Sequence, residues 1–207
     1  MEKLTVNRIL VAFHLLERGG SMSVNQYWKE INIASEKVSS LITSYWYEHS
    51  DWGNWQFWVV LLCLLIPLIV LLFKLDRNRT FEILFFGYTV HMVWNYTDLL
   101  LIRLGYIDHH YFLMPFFPQA LGITAAIIPV SFMLMYQYCM NQEKPFIIWT
   151  TMLSAIIAFC FAPLEMLVGF FSIYKGFNIA HLFFIDLTIS MIAYGMTKFF
   201  VRFYMAR

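Results

Sequence analysis

Of 207 residues, 60% are hydrophobic, 19% aromatic and 13% charged, and the formal net charge is +1. Ordinary soluble domains are about 45–50% apolar and about 25% charged, so a water-soluble fold of this length has no means of hiding so much apolar surface. The small, scattered charge excludes the basic face that nucleic acid requires and leaves the lipid bilayer and other membrane proteins as partners.

Residues 1–21 fit a membrane protein poorly. The apolar run 10–16 is too short to span, contains His14 and is followed by no small-residue cleavage site, so it does not read as a signal peptide. Glu17-Arg18-Gly19-Gly20 can be encoded by a purine-rich stretch resembling a bacterial ribosome-binding site just before Met22. Translation is therefore expected to start at Met22, with 1–21 a mis-annotated leader. Residues 22–54 form a tail. Within it Tyr27, Ile31, Ala34, Val38, Leu41 and Tyr45 recur at four- and three-residue steps, the spacing of one apolar helix face. With Trp46, Trp52, Trp55 and Trp58 beyond, this predicts an amphipathic helix along the membrane interface and an aromatic belt. The alternative is a solvated helix without lipid contact.

Five runs then approach the roughly 20 apolar residues needed to cross a hydrocarbon core of about 30 Å: 55–73, 81–102, 118–139, 146–168 and 179–200. The fold class expected is all-α, a polytopic membrane helix bundle occupying 55–203. The connections are too short for a soluble domain. Thr80 is expected as an N-cap, and Pro118 and Pro145 stand where a first helical turn tolerates proline. Lys74, Arg77, Arg79, Lys144, Lys198, Arg202 and Arg207 collect on one side, against Arg103 and Lys175 on the other. Basic residues in short loops stay cytoplasmic, which puts the tail outside and the C-terminus inside.

Ionisable residues within spans cost roughly 2.5–3.5 kcal/mol each near a helix centre on insertion scales, so each asks for a reason. Tyr88, His91, Asn95 and Asp98 share one face of the second span, within about 80°. Stripes of small and hydroxylated residues mark the packed faces of the fourth span (Thr151, Ser154, Ala158, Ala162, Glu165) and the fifth (Asp186, Ser190, Ala193, Thr197). On the expected topology Asp98, Glu165, His181 and Asp186 fall in the outer half, with Arg103, Asp108, His109 and His110 in the outer loop. The candidate site is thus an intramembrane polar cluster of Tyr88, His91, Asn95, Asp98, Glu165, His181 and Asp186. It reads either as an outward-opening pocket or as helix-to-helix hydrogen bonding that fixes register. Asp108-His109-His110 lacks the spacing of a ligand set, and Cys63, Cys139 and Cys160 are single fillers of apolar runs, so neither metal nor cofactor is expected. H-E-x-x-H and G-x-S-x-G are absent, and no catalytic residue is assigned. Pro67, Pro129 and Pro163 interrupt three spans, with kinks that either pack or line a cavity.

Leu75-Asp76-Arg77-Asn78-Arg79 running into Glu82-Ile83-Leu84-Phe85-Phe86-Gly87, then Asp98, Leu104-Gly105-Tyr106, Pro115, Pro118, and Pro129 followed by Met133-Leu134-Met135-Tyr136-Gln137-Tyr138, carry a resemblance over about residues 55–200. The chain resembles a family of small, uncharacterised multi-pass membrane proteins of endospore-forming Gram-positive bacteria. The resemblance implies a bacterial plasma-membrane location and multi-pass topology, and no activity. The chain departs from that pattern at Ala162-Pro163, where Glu-Pro is expected and Glu165 follows about a turn later, and at the opening of the fifth span, which has His181 and Asp186.

The expected function is a non-enzymatic structural, accessory or binding role. The alternative is a small transporter or ligand-binding protein with an outward-facing polar pocket around Asp98. A third reading is a membrane-embedded enzyme acting on a lipid or isoprenoid, with Asp98, Glu165 or Asp186 as acid and base. Five spans leave no complete two-half inverted repeat in one chain, and a homo-oligomer would restore that symmetry.

Overall fold

The structure is a computed structural model that describes residues 22–205; the expected leader at 1–21 lies outside the described residues. The chain divides into two units between Thr43 and Ser44. Helix α1 (Val24–His49), most of it in the first, begins with a reciprocal cap. Gln26 N–H donates to the Ser23 hydroxyl, and Ser23 N–H donates to the Gln26 side chain. Two otherwise orphaned backbone donors are thereby satisfied. Tyr27, Ile31, Val38 and Leu41, on the expected apolar face, are exposed.

The second unit is an all-α bundle. Helix α2 (Trp55–Lys74) is an almost unbroken run of Leu, Ile and Val with Pro67 inside it. A short 3₁₀ turn (Arg77–Arg79) leads into α3 (Thr80–Leu104). Thr80 is not the N-cap that the sequence suggests. Its hydroxyl donates back to the Asp76 and Arg77 carbonyls, while the Asp76 carboxylate accepts from Asn78 N–H and caps the turn instead. α3 ends at Gly105, whose φ of +68° closes the helix in the left-handed conformation that glycine adopts without strain.

Strand β1 (Ile107–His109) pairs antiparallel with β2 (Phe171–Ile173), with Ile107 opposite Ile173 and His109 opposite Phe171. The third apolar helix starts at Gly122 rather than 118, so Pro118 stands in the preceding loop. It opens as a π-helical stretch (Gly122–Ile127) and continues as α4 (Ile128–Asn141). Likewise α5 (Phe146–Ile156) passes through a π-helical stretch (Ile157–Phe161) into α6 (Ala162–Val168). Each widened stretch is followed within two residues by a proline, Pro129 or Pro163. Proline has no N–H to return to the preceding turn, and a π-helical turn re-pairs the carbonyls that it would strand. Helix α7 (Ile179–Met205) completes the chain.

Among the described residues four helices are long and apolar enough to cross a membrane: Trp55–Lys74, Gly122–Asn141, Phe146–Val168 and Ile179–Phe203. The sequence suggests five. The remaining one, α3, is 25 residues long, about 37 Å at about 1.5 Å per residue. It is less apolar because it is an inner helix, packed on α4 and α7, and spends positions on His91, Trp94, Asn95 and Asp98. Burial separates the helices by role. The apolar window of α2 is 11% buried and that of Gly122–Asn141 is 56% buried. α2 therefore shows its leucines outward, and α4 runs through the core.

That core is held by aromatic packing. Phe86 of α3 stacks on Tyr136 of α4 (centroids 4.4 Å apart), and Phe146 of α5 stacks on Tyr194 of α7 (4.2 Å). Asp186, Ser190, Ala193 and Thr197 of α7 are fully buried, as are Ser154 and Ala158. The bond that joins α5 to α7 comes from Thr150, whose hydroxyl donates to Ser190 Oγ at 2.8 Å. Thr151 bonds only within its own helix. Trp46 does not join the expected aromatic belt. It is 7% exposed, and its indole N–H donates to the Phe112 carbonyl beside Ser50, which bonds both backbone groups of Phe112. Trp52, Trp55 and Trp58 are exposed.

Candidate functional site

The bundle has two polar ends of different construction. At the end where α2 turns into α3, the Glu82 carboxylate is ringed by donors. The Tyr136 hydroxyl and Lys198 Nζ (3.4 Å) meet one oxygen, and Arg79 Nε (3.4 Å) meets the other. Lys198 also sits 5.6 Å from the ring centroids of Tyr136 and Tyr194. Asp76 accepts from Asn78 N–H and Asn141 Nδ2, and its own N–H donates to Gln137. Every carboxylate oxygen in this clasp has a partner.

At the other end the β1–β2 ribbon carries His109 onto Asp98. Strand alternation turns Ile107 and His109 inward and Asp108 outward. His109 Nε2 donates to Asp98 Oδ1 at 2.9 Å, and Phe171 stacks on the imidazole with centroids 5.2 Å apart. The ribbon is fastened at its margin by His110, whose Nδ1 donates to the Gly169 carbonyl at 2.8 Å. Asp186 lies on α7 and accepts from the Trp94 indole N–H at 2.8 Å. Asp98 is 2% exposed and Asp186 0%. Yet among the described residues Asp98 Oδ2, Asp186 Oδ2 and His109 Nδ1 have no partner. Glu165, on α6, lines the same space as His109 and Asp98.

Two cavities adjoin these groups. One of about 40 Å³ is walled by Trp94, Asp98, His109, Thr124, Glu165 and Asp186 among others. The other, of about 180 Å³, is lined mainly by apolar side chains of α2, α6 and the π-helical stretch Gly122–Ile127, with Cys63, His109, Tyr111 and Glu165 as its titratable groups. His109, Ile123, Phe161 and Glu165 line both, so the two spaces share a wall. Gly122 is required here. A Cβ on it would lie 2.8 Å from the Val60 backbone carbonyl, so glycine alone lets α2 approach. Both π-helical stretches thus do more than absorb a proline: they contribute cavity wall.

The structure gathers some of the sequence-derived candidates and disperses others. Asp98, Glu165 and Asp186 converge on the cavities. His91 is half-buried, and its Nδ1 donates to the Thr124 carbonyl at 3.0 Å, against the same stretch that lines the site. Asn95 is half-buried on the flank of α3, and Tyr88 is 61% exposed. The buried stripe of α3 follows Ile83, Phe86, Val90, Trp94 and Leu101, which sets its centre off to one side of the polar face; Asp98 sits at the shared margin and Tyr88 at the far edge. His181 is exposed and serves the start of α7. Asn178 N–H donates to its Nδ1, and its own N–H donates to the Asn178 side chain. His109 is the member that the candidate set lacks. Its signal was the alternation Ile107-Asp108-His109 just after a glycine helix stop.

Among the described residues no three of His, Cys, Asp or Glu are arranged to hold a metal ion. What the cluster offers is an imidazole held by a carboxylate, two further carboxyl groups and adjoining space, chemistry suited to accepting a proton or a hydrogen-bond-donating group. No protein-family model, curated protein or solved structure matches the chain, so the function is read from the site itself.

Proposed function

We propose that the protein is a five-span integral membrane protein of the bacterial plasma membrane, tail outside and C-terminus inside, that binds a small molecule beside Asp98 and catalyses no reaction. The observation that carries this reading is the pair of unpartnered carboxyl oxygens, Asp98 Oδ2 and Asp186 Oδ2, buried at a cavity. An unsatisfied buried carboxyl oxygen costs stability, and such groups are retained where a ligand completes them. The fifth span is α3, which has the length to cross and which buries Asp98 fully and His91 and Asn95 in part. The exposed apolar face of α1 suits the outer interface. Ligand pockets for drug-sized molecules run from about 300 Å³ upward, so at about 180 Å³ this site takes something smaller.

A second reading has its own support. Asp98 is sealed under His109, as expected if its task is to fix the ribbon in place. Mass spectrometry of small molecules that co-purify with wild type and with Asp98→Asn decides between them. The binding reading expects a species present in the first and depleted in the second. Matching profiles that contain only bulk lipid leave Asp98 a fastening for the ribbon.

A further inference from the structure

Charge and shape at this site are both unbalanced, and one ligand chemistry corrects both. Around the smaller cavity stand three carboxyl groups, Asp98, Glu165 and Asp186, against a single imidazole, His109. Neither cavity is lined by a lysine or arginine. Two of the carboxyl groups are essentially inaccessible and each keeps one oxygen without a donor. Buried carboxylates in this number demand protons or a cation. The described residues do not form a ligand set for a bare metal ion. A cation that brings its own hydrogen-bond donors is then the natural counter-charge. An ammonium group supplies three and tolerates wider spacing than a metal does. Trp94 and Phe171 add two aromatic residues to the lining of the same space.

The neighbouring cavity defines the rest of the molecule. Its walls are largely apolar; His109 and Glu165 stand on the side shared with the smaller space, and Cys63 and Tyr111 line the larger space alone. Its volume of about 180 Å³ is near the 150 Å³ or so that accommodates a benzene ring in a dry protein cavity. We infer that the site binds an amphipathic amine, its ammonium group placed among Asp98, Glu165 and Asp186 and its body, of about one aromatic ring or a short alkyl chain, held between α2, α6 and the stretch that begins at Gly122. This rests on the binding reading above and narrows it to one ligand class. The Trp94–Asp186 bond holds one carboxyl group and the His109–Asp98 bond another, and in each the second oxygen is left without a partner in a residue that lines the cavity.

The test uses three probes of nearly equal shape, 2-phenylethylamine, 2-phenylethanol and ethylbenzene, titrated calorimetrically against the full chain in nanodiscs, with empty nanodiscs as the partition control. The amine is expected to bind at least tenfold more tightly than the alcohol. Asp186→Asn, which keeps an acceptor for the Trp94 indole, is expected to remove most of that preference. Equal or tighter binding of the alcohol overturns the amine inference and leaves the pocket standing. If none of the three binds above the control, the pocket reading falls and the inference with it. Because the probe ranking is measured on wild type, it holds even if the variant fails to accumulate.

Discussion

The two ends of the bundle use the same materials differently. Glu82 and Asp76 have donors for every carboxylate oxygen, drawn from a tyrosine, a lysine, an arginine, an asparagine and a backbone N–H. Asp98 and Asp186 are more deeply buried, have one donor each and keep an oxygen idle. Buried polar networks rigidify a fold when fully satisfied and destabilise it when half satisfied. The first end is therefore built for stability. The second gives up stability to keep hydrogen-bonding capacity free, the pattern expected of a site rather than a fastening.

The largest expected effect tests that contrast directly. Removing Glu82 leaves Lys198, Tyr136 and Arg79 without their shared acceptor. Breaking a buried pair costs about 3–5 kcal/mol, and the 35–38% exposure of Arg79 and Lys198 lowers this to about 2–3 kcal/mol through solvent screening. Glu82→Ala should lose that much in reversible detergent unfolding. Asp186→Asn should lose under about 1 kcal/mol or gain stability, because it removes a buried charge and keeps the Trp94 acceptor. Equal losses in the two variants would erase the distinction between the ends.

A second substitution asks whether the cavity is built or incidental. Gly122→Ala places a Cβ 2.8 Å from the Val60 carbonyl and 2.9 Å from Cys63 Cβ, and one of these is backbone that cannot swing aside. Overpacking of this kind costs about 1–3 kcal/mol. The expected outcome is a loss in that range together with weakened binding of 2-phenylethylamine, since α2 forms one wall of the larger cavity. Gly87→Ala is the comparison at the other end. There the Cβ meets only the Met133 side chain, so stability should fall while amine binding is unchanged.

How far each end can be read from sequence follows from how local its chemistry is. Asp98, Glu165 and Asp186 stand out because a carboxyl group in an apolar run is costly wherever its partners lie. His109 does not stand out. It sits in a loop of mixed composition, and only pairing with Phe171, 62 positions on, turns it inward. The clasp is less legible still. Glu82 meets Tyr136 and Lys198 across separations of 54 and 116 residues, and nothing in the segments Asp76–Arg79 and Tyr136–Gln137 hints that they touch. Local motifs mislead in the opposite way. His181 looks like a site residue because it is ionisable near a span, yet Asn178 three residues earlier is a helix-start partner within easy reach. The count of spans differs for a related reason: the sequence suggests five, but α3 spends positions on His91, Trp94, Asn95 and Asp98 and is not among the four described helices long and apolar enough to cross.

The smallest expected effect supplies the scale for the others. Thr150 and Ser190 make one neutral, fully buried hydrogen bond between α5 and α7. Such bonds between membrane helices average about 0.6 kcal/mol in double-mutant cycles, because the unfolded chain in lipid finds other partners for the same hydroxyls. A cycle of Thr150→Val and Ser190→Ala should therefore give a coupling near 0.6 kcal/mol. That value is what an ordinary cross-helix bond contributes in this bundle. The Tyr136–Glu82 coupling, measured by a cycle of Tyr136→Phe and Glu82→Gln, should exceed it because the acceptor is charged. The His109–Asp98 coupling, measured with His109→Gln and Asp98→Asn, should not exceed the Tyr136–Glu82 value, since part of what the first bond gains is lost to the idle oxygen beside it. A His109–Asp98 coupling several times the neutral value and above that of the clasp would make the ribbon end the stronger fastening of the two, and would assign Asp98 to structure.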